Sequence, residues 1–314
     1  MLNKKIFIVA GLPRSGSTLL MNILGQNDAF FVTPTSGILD IIVYIRNSWN
    51  NNPALLATDR QSREARQIAV MRGVLQGYFS ETSRPVCFDK NRLWLEYLET
   101  MAVIAGGREN VKVLVTVRDL RDVLASFEKQ VRDTSALRQA PMEMADAIRF
   151  KTAVQRIQWF IDNQQPVGRA YNAIRDAVTR GWRDCMHFVE YDALTGDPEK
   201  AIDAIYDFLG EPSIRHDFDN VEQITEEDDF FHGFRDLHTI RRKVESQPPS
   251  WPTVFDQTVR ATPMWKEIEK VSRFWRAYLK PLGSELPGDL PTSSNDGSSI
   301  AEAVPQQIGE GAKA

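Results

Sequence analysis

Residues 11–18, Gly-Leu-Pro-Arg-Ser-Gly-Ser-Thr, carry the most legible chemistry in the chain. Gly11 and Gly16 have the G-x-x-x-x-G spacing of a phosphate-binding loop, in which backbone N–H groups and a following helix N-terminus attract an anion. In an ATP- or GTP-binding loop a lysine follows the second glycine to reach the β- and γ-phosphates, and Ser/Thr then holds Mg²⁺. Here Ser17 takes the lysine position and Arg14 is the loop's only cation. These residues argue against an ordinary nucleotide triphosphatase and for another doubly anionic nucleotide tail. Arg14, the N–H groups of Ser15, Gly16, Ser17 and Thr18, and the hydroxyls of Ser17 and Thr18 would hold it. Arg118 leaves the end of an apolar run, where open α/β sheets bind ligands, with Ser126 two helical turns on. Taken alone, an arginine there is equally a structural ion-pair partner.

The elements that position these residues alternate. Continuous apolar runs at 5–10 and 111–117 lack the alternation of half-exposed strands and read as central strands of a parallel sheet covered on both faces. Shorter strands are expected at 30–32, 86–88 and 187–190. Helical patterns fall at 17–26, 36–48, 60–80, 92–105, 120–132, 142–164, 167–181, 198–209 and 262–279. The last puts Met264, Trp265, Ile268, Val271, Trp275 and Tyr278 on one core-packing face. The expected fold is α/β, a P-loop-type parallel sheet flanked by helices, with helical insertions. Residues 1–280 form one domain in this reading. Residues 281–314, rich in Gly, Pro, Ser and acid, are expected to be a disordered acidic tail. The irregular, charged segment 214–260 has the character of a binding loop or lid.

The 314 residues, 42% hydrophobic, suffice for a sizeable core, and the formal charge is −4. Residues 281–314 hold five acidic residues against one lysine, so the body is close to neutral. No basic stripe suggests nucleic-acid binding. Cys87 and Cys185 lack metal-ligand spacing and read as buried small hydrophobes. No apolar stretch approaches the roughly 20 residues that span a bilayer, and the first strand begins too early for a signal peptide. A cytoplasmic protein without a membrane span is expected.

The loop and the Arg118/Ser126 pair resemble the sulfotransferases that use PAPS (3′-phosphoadenosine 5′-phosphosulfate). In that family the first βα loop cradles the 5′-phosphosulfate, and a strand-end Arg with a helical Ser eight residues later holds the 3′-phosphate. A third likeness runs through Val189-Glu190-Tyr191-Asp192-Ala193-Leu194, Asp197-Pro198 and Phe208-Leu209-Gly210. The resemblance implies that Tyr191 lies near the adenine and that Lys90, after a core strand, meets the bridging oxygen of the leaving group. On its own Lys90 is also readable as a solvated strand-end lysine. The loop's wording is closer to bacterial and tyrosylprotein-type enzymes than to cytosolic ones.

By this resemblance the chain is an enzyme that moves the sulfuryl group from PAPS to a hydroxyl acceptor, a tyrosine, a sugar or a small alcohol, by in-line displacement without a metal. Positioning and electrostatics would do most of the work, as in phosphoryl transfer. The family's general base does not carry over: the stretch Val32 to Gly37 has no carboxylate, and Arg92 stands where cytosolic enzymes have histidine. His238 replaces it in this reading, in a stretch whose Arg241 and neighbouring cations suit phosphate. Asp89 is the second candidate, and a solvated loop histidine is the alternative for His238. The competing functions are a small-molecule P-loop kinase and a catalytically silent PAPS-binding protein.

Overall fold

The computed structural model describes residues 2–136, 150–229, 236–279 and 288–291. Five strands, β1 (Lys5–Gly11), β2 (Phe30–Thr35), β3 (Val86–Lys90), β4 (Val113–Val117) and β5 (Met186–Glu190), form one sheet in the order β2-β3-β1-β4-β5. Every pairing is parallel. All the expected strands are present, and the continuous apolar run of β1 has its reason in the core. Ile6 and Ile8 pack into one hydrophobic cluster while Phe7 and Val9 pack into another on the opposite face. A strand buried on both sides has no polar face to alternate with.

The flanking helices are α1 (Ser17–Leu24), α2 (Ile38–Asn51), α3 (Arg60–Tyr78), α4 (Leu98–Ala105), α5 (Leu120–Ala136), α6 (Ala153–Ile161), α7 (Pro166–Thr179), α8 (Tyr191–Gly196), α9 (Pro198–Leu209) and α10 (Pro263–Val271). Because the strands are parallel, the loop after β1, Lys90 ending β3, Arg118 after β4 and Tyr191 after β5 come to one edge of the sheet. Register keeps them level: Val9 pairs with Lys90, Gly11 with Thr116 and Val117 with Glu190.

Three expected helices differ in extent. The pattern at 92–105 opens with a 3-10 turn, Arg92–Glu96, before α4. That at 262–279 breaks after Val271, where the Ser272 carbonyl accepts from the Leu120 N–H instead of continuing the helix, and resumes as the 3-10 segment Phe274–Leu279. Of 142–164, residues 142–149 lie outside the described residues; α6 begins at Ala153, where Thr152 and Gln155 form a reciprocal capping box. The expected tail lies outside the described residues except at 288–291. There Leu290 is buried against the core, Asp289 pairs with Arg175, and the Gly288 carbonyl accepts from the Tyr171 hydroxyl.

Cys87 and Cys185 are buried. Desolvation pushes the Cys87 thiol up to about 11, which leaves it an unreactive packing group. Among the described residues no helix is long and apolar enough to cross a membrane.

Candidate active site

The loop between β1 and α1 owes its shape to two glycines and one strained arginine. Gly11 has φ +123°, and a Cβ there would stand 2.2 Å from the Thr116 carbonyl oxygen of β4. Arg14 at φ 57° and Gly16 at φ 88° both lie in the left-handed region. Such a turn gathers successive N–H groups into an anion-binding concavity, and a non-glycine residue held there is a hallmark of functional loops. Gly16 caps α1 without a side chain, so no side-chain acceptor competes for the helix N-terminus. Ser15 is turned inward onto the Leu12 carbonyl and the Thr116 hydroxyl. Its side chain fixes the loop, and its N–H is what it offers an anion.

Arg118, Ser126 and Tyr191 assemble around this loop. The Arg118 guanidinium lies over the Tyr191 ring, 4.2 Å from its centroid, and donates to the Arg14 carbonyl at 3.4 Å. Tyr191 in turn packs against Gly16, where a Cβ would come within 2.7 Å of the ring. Arg14 Nε donates to Ser126 Oγ at 2.9 Å, and Nη1 donates to the Leu237 carbonyl. Burial, with Arg118 adjacent, lowers the Arg14 pKa. Arg118 Nε is buried without a hydrogen-bond partner among the described residues. Two crowded guanidiniums and an orphaned buried donor make a site whose chemistry asks for an anion.

A second cluster adjoins the loop. Lys90 Nζ is 3.4 Å from Thr18 Oγ1 and 2.9 Å from Glu227 Oε2. Glu227 Oε2 stands 3.4 Å from His238 Nε2, and His238 Nδ1 is 2.6 Å from Asp229 Oδ1. The His238 backbone N–H also donates to Asp229 Oδ2 at 3.0 Å. A carboxylate at 2.6 Å requires the proton on Nδ1, which leaves Nε2 as the basic nitrogen in the neutral ring. Burial lowers the His238 pKa despite the upward pull of Glu227. Burial likewise lowers Lys90 more than Glu227 raises it. For Glu227, burial works upward, but Lys90, Thr35 and His238 together hold the carboxyl below its ordinary value.

Of the residues singled out from sequence, Arg14, Ser15, Gly16, Ser17, Thr18, Arg118, Ser126 and Tyr191 form the first cluster and its loop, and Lys90 and His238 meet in the second. Arg241 is exposed, and no hydrogen bond or ion pair ties it to the loop among the described residues. Asp89 faces away from Lys90: it is 0% exposed, and its Oδ2 accepts from Trp94 Nε1 at 2.5 Å. An acceptor hydroxyl has no path to it. Sequence reasoning missed Glu227 and Asp229, and with them Asn22. The buried Asn22 amide accepts from the Ile224 and Thr225 N–H groups at 2.6 and 3.0 Å and donates to Thr225 Oγ1 at 2.9 Å. This clamp holds the chain leading to Glu227 on α1.

The family model described as "Sulfotransferase domain" matches residues 4–228. No curated protein matches the chain. Among solved structures the chain is similar to a sulfotransferase domain from the curacin biosynthetic pathway, with 15% identity, coverage of 90% of this chain and 94% of that one, and a TM-score of 0.46. It is similar to a mouse sulfotransferase complexed with PAP at 13% identity, covering 86% and 85%, with a TM-score of 0.46. A sulfotransferase from Alicyclobacillus acidocaldarius shares 13% identity over 74% of this chain and 89% of that one, with a TM-score of 0.42.

Proposed function

The chain belongs to the sulfotransferase domain family, and from that premise we propose that it transfers the sulfuryl group of PAPS to a hydroxyl acceptor. PAPS is one of two substrates in this reading. The observation that carries it is the second anion site beside the loop: Arg118, with a buried Nε lacking a partner among the described residues, flanked by Arg14, Ser126 and the Tyr191 ring. A nucleoside triphosphate places its charge in one tail and gives such a site nothing to bind. A 3′-phosphorylated adenosine has an anion for each.

The loop N–H groups and the hydroxyls of Ser17 and Thr18 would hold the 5′ end. Arg118 and Ser126 would hold the 3′-phosphate, with Tyr191 against the nucleoside. Arg14 reaches Ser126 and so serves both ends. In the transfer, the acceptor oxygen forms a bond to sulfur as the bond from sulfur to the bridging phosphate oxygen breaks. The acceptor's proton passes to His238 Nε2, kept available by the Asp229 contact at Nδ1. The charge that develops on the leaving phosphate is met by Lys90, next to Thr18 of the loop.

The test is calorimetric binding of adenosine 3′,5′-bisphosphate (PAP) against ADP, without magnesium, to wild type and Arg118→Ala. Preference for PAP that collapses in the variant is the expected result. Equal or tighter ADP binding would overturn the reading in favour of a kinase. Tight PAP binding without PAPS consumption across a broad acceptor panel would favour a silent binding protein.

A further inference from the structure

Glu227 has no part in the transfer just described, yet Lys90 and His238 both face it. Its Oε2 is 2.9 Å from Lys90 Nζ and 3.4 Å from His238 Nε2, while Lys90 Nζ is 3.4 Å from Thr18 Oγ1. The pair is closed off from solvent: each of the two side chains is 7% exposed. In-line displacement needs the proton acceptor and the group that stabilises the leaving oxygen on opposite sides of the sulfur. Between the residues assigned those tasks lies a carboxylate, which like a sulfonate carries a single negative charge shared over its oxygens. The placement is anchored, because the Asn22 clamp fixes the backbone at Ile224 and Thr225, three and two residues before Glu227.

Resting on the PAPS reading above, we propose that Glu227 is a specificity-determining residue. Its carboxylate occupies the seat of the sulfuryl group, so that PAPS must displace it from that seat, whereas PAP, whose phosphate reaches Lys90 without entering the seat, leaves it in place. Two anions cannot occupy one buried seat without one of them leaving or taking up a proton. A lysine as buried as Lys90 also needs a counter-ion between turnovers, and breaking such a pair is strongly unfavourable. Glu227 supplies that counter-ion, at the cost of competing with the one substrate that carries the sulfonate. The carboxylate therefore sets the ratio of PAPS to PAP affinity.

The experiment is calorimetric titration of PAPS and of PAP, separately and without acceptor, into the full chain as wild type and as Glu227→Gln. Glutamine keeps the size and one acceptor oxygen and removes the charge. The ratio of PAPS to PAP affinity is expected to rise about tenfold or more in the variant, since only the PAPS complex requires the displaced state. Glu227→Asp, which retains the charge but withdraws it from Lys90, should give an intermediate ratio and guards against a folding defect in the first variant. An unchanged ratio with both nucleotides still bound overturns the proposal and leaves the PAPS reading standing. Wild type that binds neither nucleotide overturns the PAPS reading and the proposal with it.

Discussion

Arg14 Nε donates to Ser126 Oγ at 2.9 Å, which ties the loop after β1 to the second turn of α5 across 112 residues of sequence. The hydroxyl that would meet a 3′-phosphate is thus already oriented by the loop's own cation. A hydrogen bond involving a charged group contributes roughly 1.5–3 kcal/mol. Ser126→Ala is expected to weaken PAP binding about tenfold, and Arg14→Ala by more. The double variant should lose measurably less than the two single losses combined, because each partner acts through the other. A calorimetric double-mutant cycle measures this, and strict additivity would show the two residues to be independent.

Gly11 is the position at which the loop tolerates least. Its φ of +123° and the 2.2 Å approach of a Cβ to the Thr116 carbonyl oxygen place the added methyl against the backbone of a central strand, which cannot step aside. Overpacking of this kind costs about 1–3 kcal/mol, and the backbone strain adds a similar amount. Gly11→Ala should lower the melting temperature by several degrees and weaken PAP binding together with it. Gly73→Ala, on α3 with open space around its Cβ, is the control and should leave both unchanged or slightly improved.

The parts of the site that could be read from sequence are those whose signals are local. The β1 run, the glycine spacing and the following apolar face of α1 fit within two dozen residues, and the parallel sheet then brings Lys90 and Arg118 to the same edge without further information. Glu227 and Asp229 gave no comparable signal. The run Glu226-Glu227-Asp228-Asp229 does not stand out within the charged segment 214–260 until Asn22, some 200 residues earlier, is seen to hold that segment on α1. The same limit applies at Ser272, where a carbonyl diverted to Leu120 ends a helix whose apolar pattern continues to Tyr278. Leu290 is a third case, an apolar residue in a polar, glycine-rich stretch that finds a place in the core.

Asp89 makes a prediction about stability and pH. Burial raises its carboxyl to about 6, even though Trp94 donates to it. Its folded pKa therefore exceeds the unfolded value of 3.8. Its contribution to stability is fully present below the unfolded pKa and is lost as pH rises through the folded one, because over that window the native state binds more protons than the unfolded chain. A shift of this size corresponds to roughly 2–3 kcal/mol at pH 8. Asp89→Asn can still accept from Trp94 and has no charge to bury. It should melt several degrees higher than wild type at pH 8, with the difference fading towards pH 4. A constant difference across that range would show that Asp89 does not change charge on folding.

Asp229 and His238 make a prediction that a structural contact would not. With Asp229 on Nδ1 at 2.6 Å the imidazole has one tautomer, its basic nitrogen at Nε2, and burial keeps its pKa below the ordinary 6.5. Once an acceptor is identified, turnover under saturating substrates should rise with pH through that depressed value and level off above it, since the neutral ring is the base. Asp229→Asn removes the charge that fixes the tautomer and stabilises the protonated ring. It is expected to lower kcat by about 10² or more while PAP affinity stays within a few-fold of wild type. His238→Ala should lower kcat at least as far and abolish the acid limb of the profile. If PAP binding instead fell with turnover unchanged at saturation, both residues would belong to the nucleotide site and the proton acceptor would have to be sought elsewhere.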